Sequence, residues 1–135
     1  MIIGIGSDLV EIKRIDHLLS RWEMRALKRL FTSFEIQKGI TTQMSTRHFA
    51  KRFAAKEAVV KALGLGFSQN ITFQDIEISN DALGKPNLSL KGTAAQKLAQ
   101  RILPGYTSHI HLTLSDTQDH ALAFVVIEQV AVNIP

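Results

Sequence analysis

No cysteine occurs in the 135 residues. That excludes disulfides, thiolate metal centres and a cysteine nucleophile, and it is compatible with a reducing compartment. A signal peptide or membrane-spanning run is also missing: the start, Met1-Ile2-Ile3-Gly4-Ile5-Gly6-Ser7-Asp8, lacks a basic flank and is interrupted by Asp8. The expectation is a cytoplasmic protein with no membrane partner. There are no internal repeats, low-complexity runs or long linkers, so residues 1–130 read as one domain with 131–135 as a C-terminal tail. The basic residues lack the interleaved aromatics that stack bases; Phe49 and Phe53 follow an apolar stripe instead and read as core. No nucleic-acid partner is expected.

What the chain has is a hydrophobic share of 45%, ordinary for a folded domain, and an uneven charge. Residues 1–61 hold twelve Lys/Arg against six Asp/Glu, net +6, whereas residues 62–135 hold four against six, net −2. The basic half suits an anionic partner such as an acidic protein or a polyphosphate, although solvated helices also carry surplus lysine and arginine.

The pattern of apolar residues predicts a strand from Ile2 to Ile12 and a helix from Asp16 to Leu30, with Leu18, Leu19, Trp22, Leu27 and Leu30 at helical spacing. A short helix is expected from Ser33 to Ile40 with Ser33 as its cap. The clearest helix is Ser45 to Leu63, capped by Ser45 or Thr46, rich in alanine and stopped by Gly64. Strands are predicted at Phe73–Ile78, Asn87–Leu90, His109–Leu114 and Ala121–Val130, and a further helix at Gly92–Leu103. The last strand is apolar on both faces and should be covered on both; an oligomer that packs sheet on sheet would cover it.

Two carboxylates stand out. Asp8 lies in an apolar strand, where aspartate is disfavoured and a buried carboxylate needs a cation or donors. Gly4 and Gly6 beside it permit close approach of a backbone or a ligand. Glu57 continues an apolar helical stripe formed by Ala50, Phe53, Ala54 and Val60, with Lys61 one turn on. Each has an ordinary reading, a turn cap for Asp8 and an i, i+4 ion pair for Glu57. Together they suit magnesium, which takes one or two carboxylates and fills its other positions with water and phosphate oxygens. Gly64 and Gly66 would let backbone run close to such a ligand, and Lys51, Arg52, Lys56 and Lys61 could offset phosphate charge. Gly64-Leu65-Gly66 is not a Walker loop. His109 and His111 share one strand face, and an ordinary surface or ligand-contact role suits them better than zinc.

The stretch Gly4-Ile5-Gly6-Ser7-Asp8-Leu9-Val10-Glu11-Ile12-Lys13-Arg14-Ile15 resembles the N-terminal signature of the holo-acyl-carrier-protein synthases. The stretch Arg52-Phe53-Ala54-Ala55-Lys56-Glu57-Ala58-Val59-Val60-Lys61-Ala62-Leu63-Gly64-Leu65-Gly66 resembles the second signature of the same 4′-phosphopantetheinyl transferase family. Phe73–Ile78 followed by Gly84-Lys85-Pro86, His111–Asp116 and Ala121–Glu128 also match, so the resemblance spans roughly residues 2–128. Asp116 stands where some relatives have histidine.

The resemblance implies an α+β fold: a small, mostly antiparallel sheet packed with a long central helix and short helices, assembled as a homotrimer with active sites between subunits. It implies transfer of 4′-phosphopantetheine from coenzyme A to a serine of acyl carrier protein, with magnesium on Asp8 and Glu57. Glu57 is the base implied for the serine proton, directly or through a bound water, and Lys61 would contact the diphosphate. Arg52, Gly64, Gly66, His111 and Thr113 would line the coenzyme A site. Arg14, Arg21, Arg25 and Lys28 would dock the acidic carrier protein. A magnesium-dependent nucleotide hydrolase would use the same carboxylates but would need no protein acceptor.

Overall fold

The structure is a computed structural model and describes residues 1–43 and 45–133. Among these residues there are β1 (Ile2–Glu11), α1 (Ile12–Trp22), α2 (Met24–Leu30), α3 (Ser33–Ile40), α4 (Ser45–Ala62), β2 (Ile76–Asn80), β3 (Pro86–Leu90), α5 (Gly92–Ala99), β4 (Tyr106–Asp116) and β5 (His120–Ala131). All strand pairing is antiparallel, in a three-stranded sheet ordered β1-β5-β4 and a two-stranded sheet β2-β3. The expected α+β architecture with a long central helix is present.

Small side chains bring α4 down onto the three-stranded sheet. A Cβ on Gly4 would overlap the Ala62 carbonyl, and one on Gly6 would overlap the Ala58 carbonyl. The glycines therefore admit the helix backbone rather than a ligand. Facing them, Ala54, Ala55, Ala58 and Ala62 are buried, and the close approach leaves little room for voids. Ala121, Ala123, Val125 and Ile127 of β5 are fully buried beneath the same helix. Strand alternation sends Leu122 and Phe124 to the other side, where they stay 40% and 42% exposed. One face of β5 is thus covered within the chain and the other is not.

Several boundaries differ from the sequence reading. The helix expected over Asp16–Leu30 starts at Ile12 and breaks at Glu23, whose φ is 47°. The left-handed residue redirects the chain so that Ala26 and Leu30 of α2 reach the core. Thr32, not Ser33, caps α3: Glu35 N–H donates to Thr32 Oγ1 at 3.3 Å and Thr32 N–H to Glu35 Oε1 at 2.8 Å, a capping box that needs the glutamate three residues on. Phe73–Asp75 is a 3-10 turn ahead of β2 rather than strand, with Thr72 N–H donating to the Asp75 carboxylate at 3.3 Å. α5 ends at Ala99 instead of Leu103, and β4 is longer than expected. Ser45 is the first residue of α4, so a cap on it would fall to Met44, outside the described residues. Ala131 still belongs to β5 and Val132 N–H donates to Gly105 O at 2.8 Å; the rest of the expected tail, residues 134–135, lies outside the described residues.

Lys56 is the main correction. It was expected to face phosphate, but its side chain is fully buried on the core side of α4. Its ammonium donates to Glu35 Oε1 at 2.6 Å, Leu30 O at 2.9 Å and Phe73 O at 2.9 Å. Glu35, equally buried, also accepts from Ile78 N–H at 2.8 Å. Every donor of the ammonium is used, which is what makes a buried charge tolerable. Burial pushes the Lys56 ammonium down, and the adjacent Glu35 carboxylate counters it.

Candidate active site

Asp8 points from β1 toward α4, on the sheet face that carries Gly4, Gly6 and Val10, opposite buried Ala123 of β5. Its side chain is 15% exposed. Lys61, in the last turn of α4, donates to Asp8 Oδ1 at 3.1 Å and to Ser7 O at 3.0 Å, while its own side chain remains 54% exposed. Glu57 stands one helical turn earlier on the same side. Burial, then the charge of Asp8, pushes the Glu57 carboxyl above its ordinary value; Lys61 and Arg14 act in the opposite sense. The structure therefore gathers Asp8, Glu57, Lys61 and Arg14 at one spot, from β1, α4 and α1. The negative charge of Asp8 acting on the Glu57 carboxyl marks a place where a cation would relieve repulsion.

The donor set fits magnesium better than zinc. It is oxygen-only, and two protein carboxylates leave most positions for water and phosphate. Among the described residues no group of three or more His, Asp or Glu is arranged to hold a metal. Gly64, with φ 72°, turns the chain sharply after α4 and leads to Gly66, so the glycine turn opens directly beyond Lys61.

Other expected site residues lie elsewhere on the chain. His111 and Thr113 sit on the outer face of the three-stranded sheet: His111 is in register with Val126 and Thr113 with Phe124. Their neighbours across β5 are Ile5 and Ser7, also on that face. The sheet stands between this pair and Asp8. His111 Nε2 lies 2.8 Å from Glu128 Oε1, and this hydrogen bond holds the Glu128 carboxyl below the usual range. Around them the outer face is apolar, with Ile5 and Leu9 63% and 64% exposed beside Leu122 and Phe124.

Arg52 is likewise apart. It lies on another side of α4 from Glu57, is nearly buried, and donates to Asn80 Oδ1 at the start of the β2–β3 turn. The cleft it lines also holds Lys38, His48, Ser79 and Asp81. Burial, followed by the charges of Arg52 and Lys51, pushes His48 down to about 4, so this imidazole is neutral near pH 7. Asn80 was missed from the sequence. Its only signal was its place next to the Gly84-Lys85-Pro86 turn.

Arg14 and Arg21 of α1 and Arg25 and Lys28 of α2 are all exposed. Between the two helices a cleft is lined by Leu18, Trp22, Arg25, Ala26 and Phe73, and the Arg21 guanidinium lies 5.1 Å from the Trp22 ring centre. Arg21 and Arg25 thus border an apolar floor. The sequence pattern placed Leu18 and Trp22 at helical spacing in one helix; with the break at Glu23, Trp22 is 44% exposed.

Residues 4–125 match the family model described as the 4′-phosphopantetheinyl transferase superfamily. The chain is similar to a holo-(acyl-carrier-protein) synthase of Zymomonas mobilis subsp. mobilis, 54% identical over 95% of this chain and 97% of that one. Its structure is similar to the crystal structure of holo-(acyl-carrier-protein) synthase from Neisseria meningitidis, with TM-score 0.82, 39% identity, and coverage of 95% and 99% of the two chains. It is also similar to the Helicobacter pylori holo-(acyl-carrier-protein) synthase in complex with coenzyme A, with TM-score 0.78, 28% identity, and coverage of 92% and 99%.

Proposed function

This chain belongs to the 4′-phosphopantetheinyl transferase superfamily, and from that we propose that it is a holo-acyl-carrier-protein synthase: it moves 4′-phosphopantetheine from coenzyme A to a serine of apo-acyl carrier protein. The products are holo-carrier protein and adenosine 3′,5′-bisphosphate. The observation that carries the reading is the meeting of Asp8, Glu57 and Lys61 from two separate signature segments, with Lys61 and Asp8 53 positions apart in the chain, at the mouth of a glycine turn.

In this reading Asp8 and Glu57 hold magnesium, which when bound polarises phosphoryl oxygens and offsets charge on the leaving group. Lys61 donates to the donor's diphosphate, and its solvent-facing ammonium is free to turn from Asp8 toward that ligand. The carrier serine Oγ attacks the phosphorus that bears the pantetheine arm. The bond from that phosphorus to the bridging oxygen breaks, and the serine proton goes to the Glu57 carboxylate, directly or through a bound water. Such transfers depend mainly on positioning and charge stabilisation.

The complete site is proposed to lie between subunits of a trimer. What supports this is the separation within one chain: Asp8 on the inner face, His111 and Thr113 on the outer face amid exposed Ile5, Leu9, Leu122 and Phe124. A second copy packed on that face covers the apolar residues and carries its partner's polar edge toward a donor site. Arg52 and the β2–β3 turn contribute to the coenzyme A site by the same logic. Arg14, Arg21, Arg25 and Lys28 dock the acidic carrier protein. A cytoplasmic location fits these substrates; among the described residues no helix is long and apolar enough to cross a membrane.

The test combines purified protein, coenzyme A, magnesium and apo-carrier protein, with mass spectrometry of the carrier. The expected result is a phosphopantetheine increment on the carrier and none with Asp8→Ala or Glu57→Ala. Nucleotide release without a carrier would favour the hydrolase instead, and near-normal transfer by both alanine variants would remove the metal assignment.

A further inference from the structure

The last turn of α4 is closed by a residue from a distant part of the chain. Helices end in carbonyls without intrahelical partners, and here each finds one. Gly64 N–H donates to Lys61 O at 2.9 Å and Leu65 N–H to Val60 O at 3.1 Å, the paired bonds of a Schellman turn around left-handed Gly64. Ala62 and Leu63 remain. Both their carbonyls accept from Arg101 Nη1, at 3.3 and 2.9 Å, while Arg101 Nη2 donates to Ile3 O at 2.6 Å. Ile3 lies at the register slip between β1 and β5. Arg101 itself follows α5, in the connection to β4.

A helix C-terminus is the wrong end for an anion, because its partial negative charge and bare carbonyls repel phosphate. Yet Lys61 and the Gly64–Gly66 turn are the proposed contacts of the donor's diphosphate and nucleotide. Arg101 places a cation at that end and occupies its last two carbonyls. Its planar fork reaches three acceptors at once, which a lysine ammonium on a single stem does less well. We propose that Arg101 is a positioning residue for the donor: it clamps the end of α4 to β1 and holds the Gly64–Gly66 turn in the shape that admits the coenzyme A diphosphate. This rests on the functional reading above.

Arg101→Met and Arg101→Lys are to be compared with the unsubstituted chain by site-resolved hydrogen exchange and by transfer kinetics. In Arg101→Met, exchange at the amides of residues 64–67 should rise about tenfold while that of residues 54–60 is unchanged, as expected for a locally opened segment. The KM for coenzyme A should rise about fivefold, with the KM for apo-carrier protein within about twofold. Arg101→Lys should recover part of the KM through its charge but little of the exchange protection. Unchanged exchange at 64–67, or equal rises in both KM values, overturns the proposal. If the methionine variant does not fold, the lysine variant carries the same measurements. If the unsubstituted chain binds no coenzyme A by calorimetry, the functional reading has failed, and hydrogen exchange alone decides the clamp.

Discussion

Gly6→Ala adds one methyl group at the contact that sets the distance between β1 and α4. The new Cβ would overlap the Ala58 carbonyl oxygen and lie 2.7 Å from the Ala62 nitrogen. Both are backbone atoms, so no side chain can swing aside. Restoring an ordinary contact of about 3.5 Å to that oxygen requires the helix to retreat by roughly 1.5 Å. Overpacking of this kind costs about 1–3 kcal/mol. For a chain of this length that lowers the melting temperature by roughly 3–10 °C. The effect on turnover should be larger than the effect on stability. Asp8 rides on β1 while Glu57 and Lys61 ride on α4, and the 3.1 Å bond between Lys61 and Asp8 spans the same gap. A displacement of about 1 Å at reacting groups can cost a factor of 10². The assay is carrier modification by mass spectrometry at a temperature where circular dichroism shows the variant folded. A folded Gly6→Ala protein with near-normal transfer would refute the claim that the helix–strand distance sets the site.

Three further outcomes are expected. Lys56→Met strands the Glu35 carboxylate in the core and should cost about 3–5 kcal/mol by denaturant unfolding; Lys56→Met/Glu35→Gln should regain a good part, and no regain would mean that the pair is not the origin of the loss. His48 binds a proton near 6.5 when unfolded but only near 4 when folded, so the unfolded state holds more protons between these values: stability is fully present above about 6.5 and is lost as pH falls toward 4. The gap is worth at most ~3 kcal/mol, and screening of this half-buried group reduces it to roughly 1–2 kcal/mol; unfolding of His48→Phe measured from pH 7 to 4.5 should show a correspondingly smaller acid loss. Carrier binding through Arg14, Arg21, Arg25 and Lys28 should weaken several-fold between low and physiological salt in a titration of apo-carrier protein, and salt-independent binding would assign the contact to the apolar cleft around Trp22 instead.

The acidic residues of the proposed site were legible because their irregularity is local. An aspartate in an apolar strand and a glutamate on an apolar helical stripe break a period that neighbours establish. The helix of residues 45–62 was equally plain, since alanine content and a terminal glycine are local signals. Lys56 was not legible. Ten residues of α4 are buried, so the helix has cover on nearly all sides and no polar face from which to read a direction. What makes Lys56 an inward residue is Glu35, 21 positions away, and the carbonyls of Leu30 and Phe73.

By itself, then, the sequence determined the types and order of most of the elements, the glycines that permit a close approach to β1, and the pair of acidic residues that could share a cation. Only the tertiary structure decided that Asp8 and the His111–Thr113 pair lie on opposite faces of one sheet, that Arg52 is tied to Asn80, and that Arg101 closes the end of α4. The reason is physical. Periodicity records which side of an element is apolar, whereas the partner that covers it, or the distant group that satisfies a freed carbonyl, is set by how the elements pack.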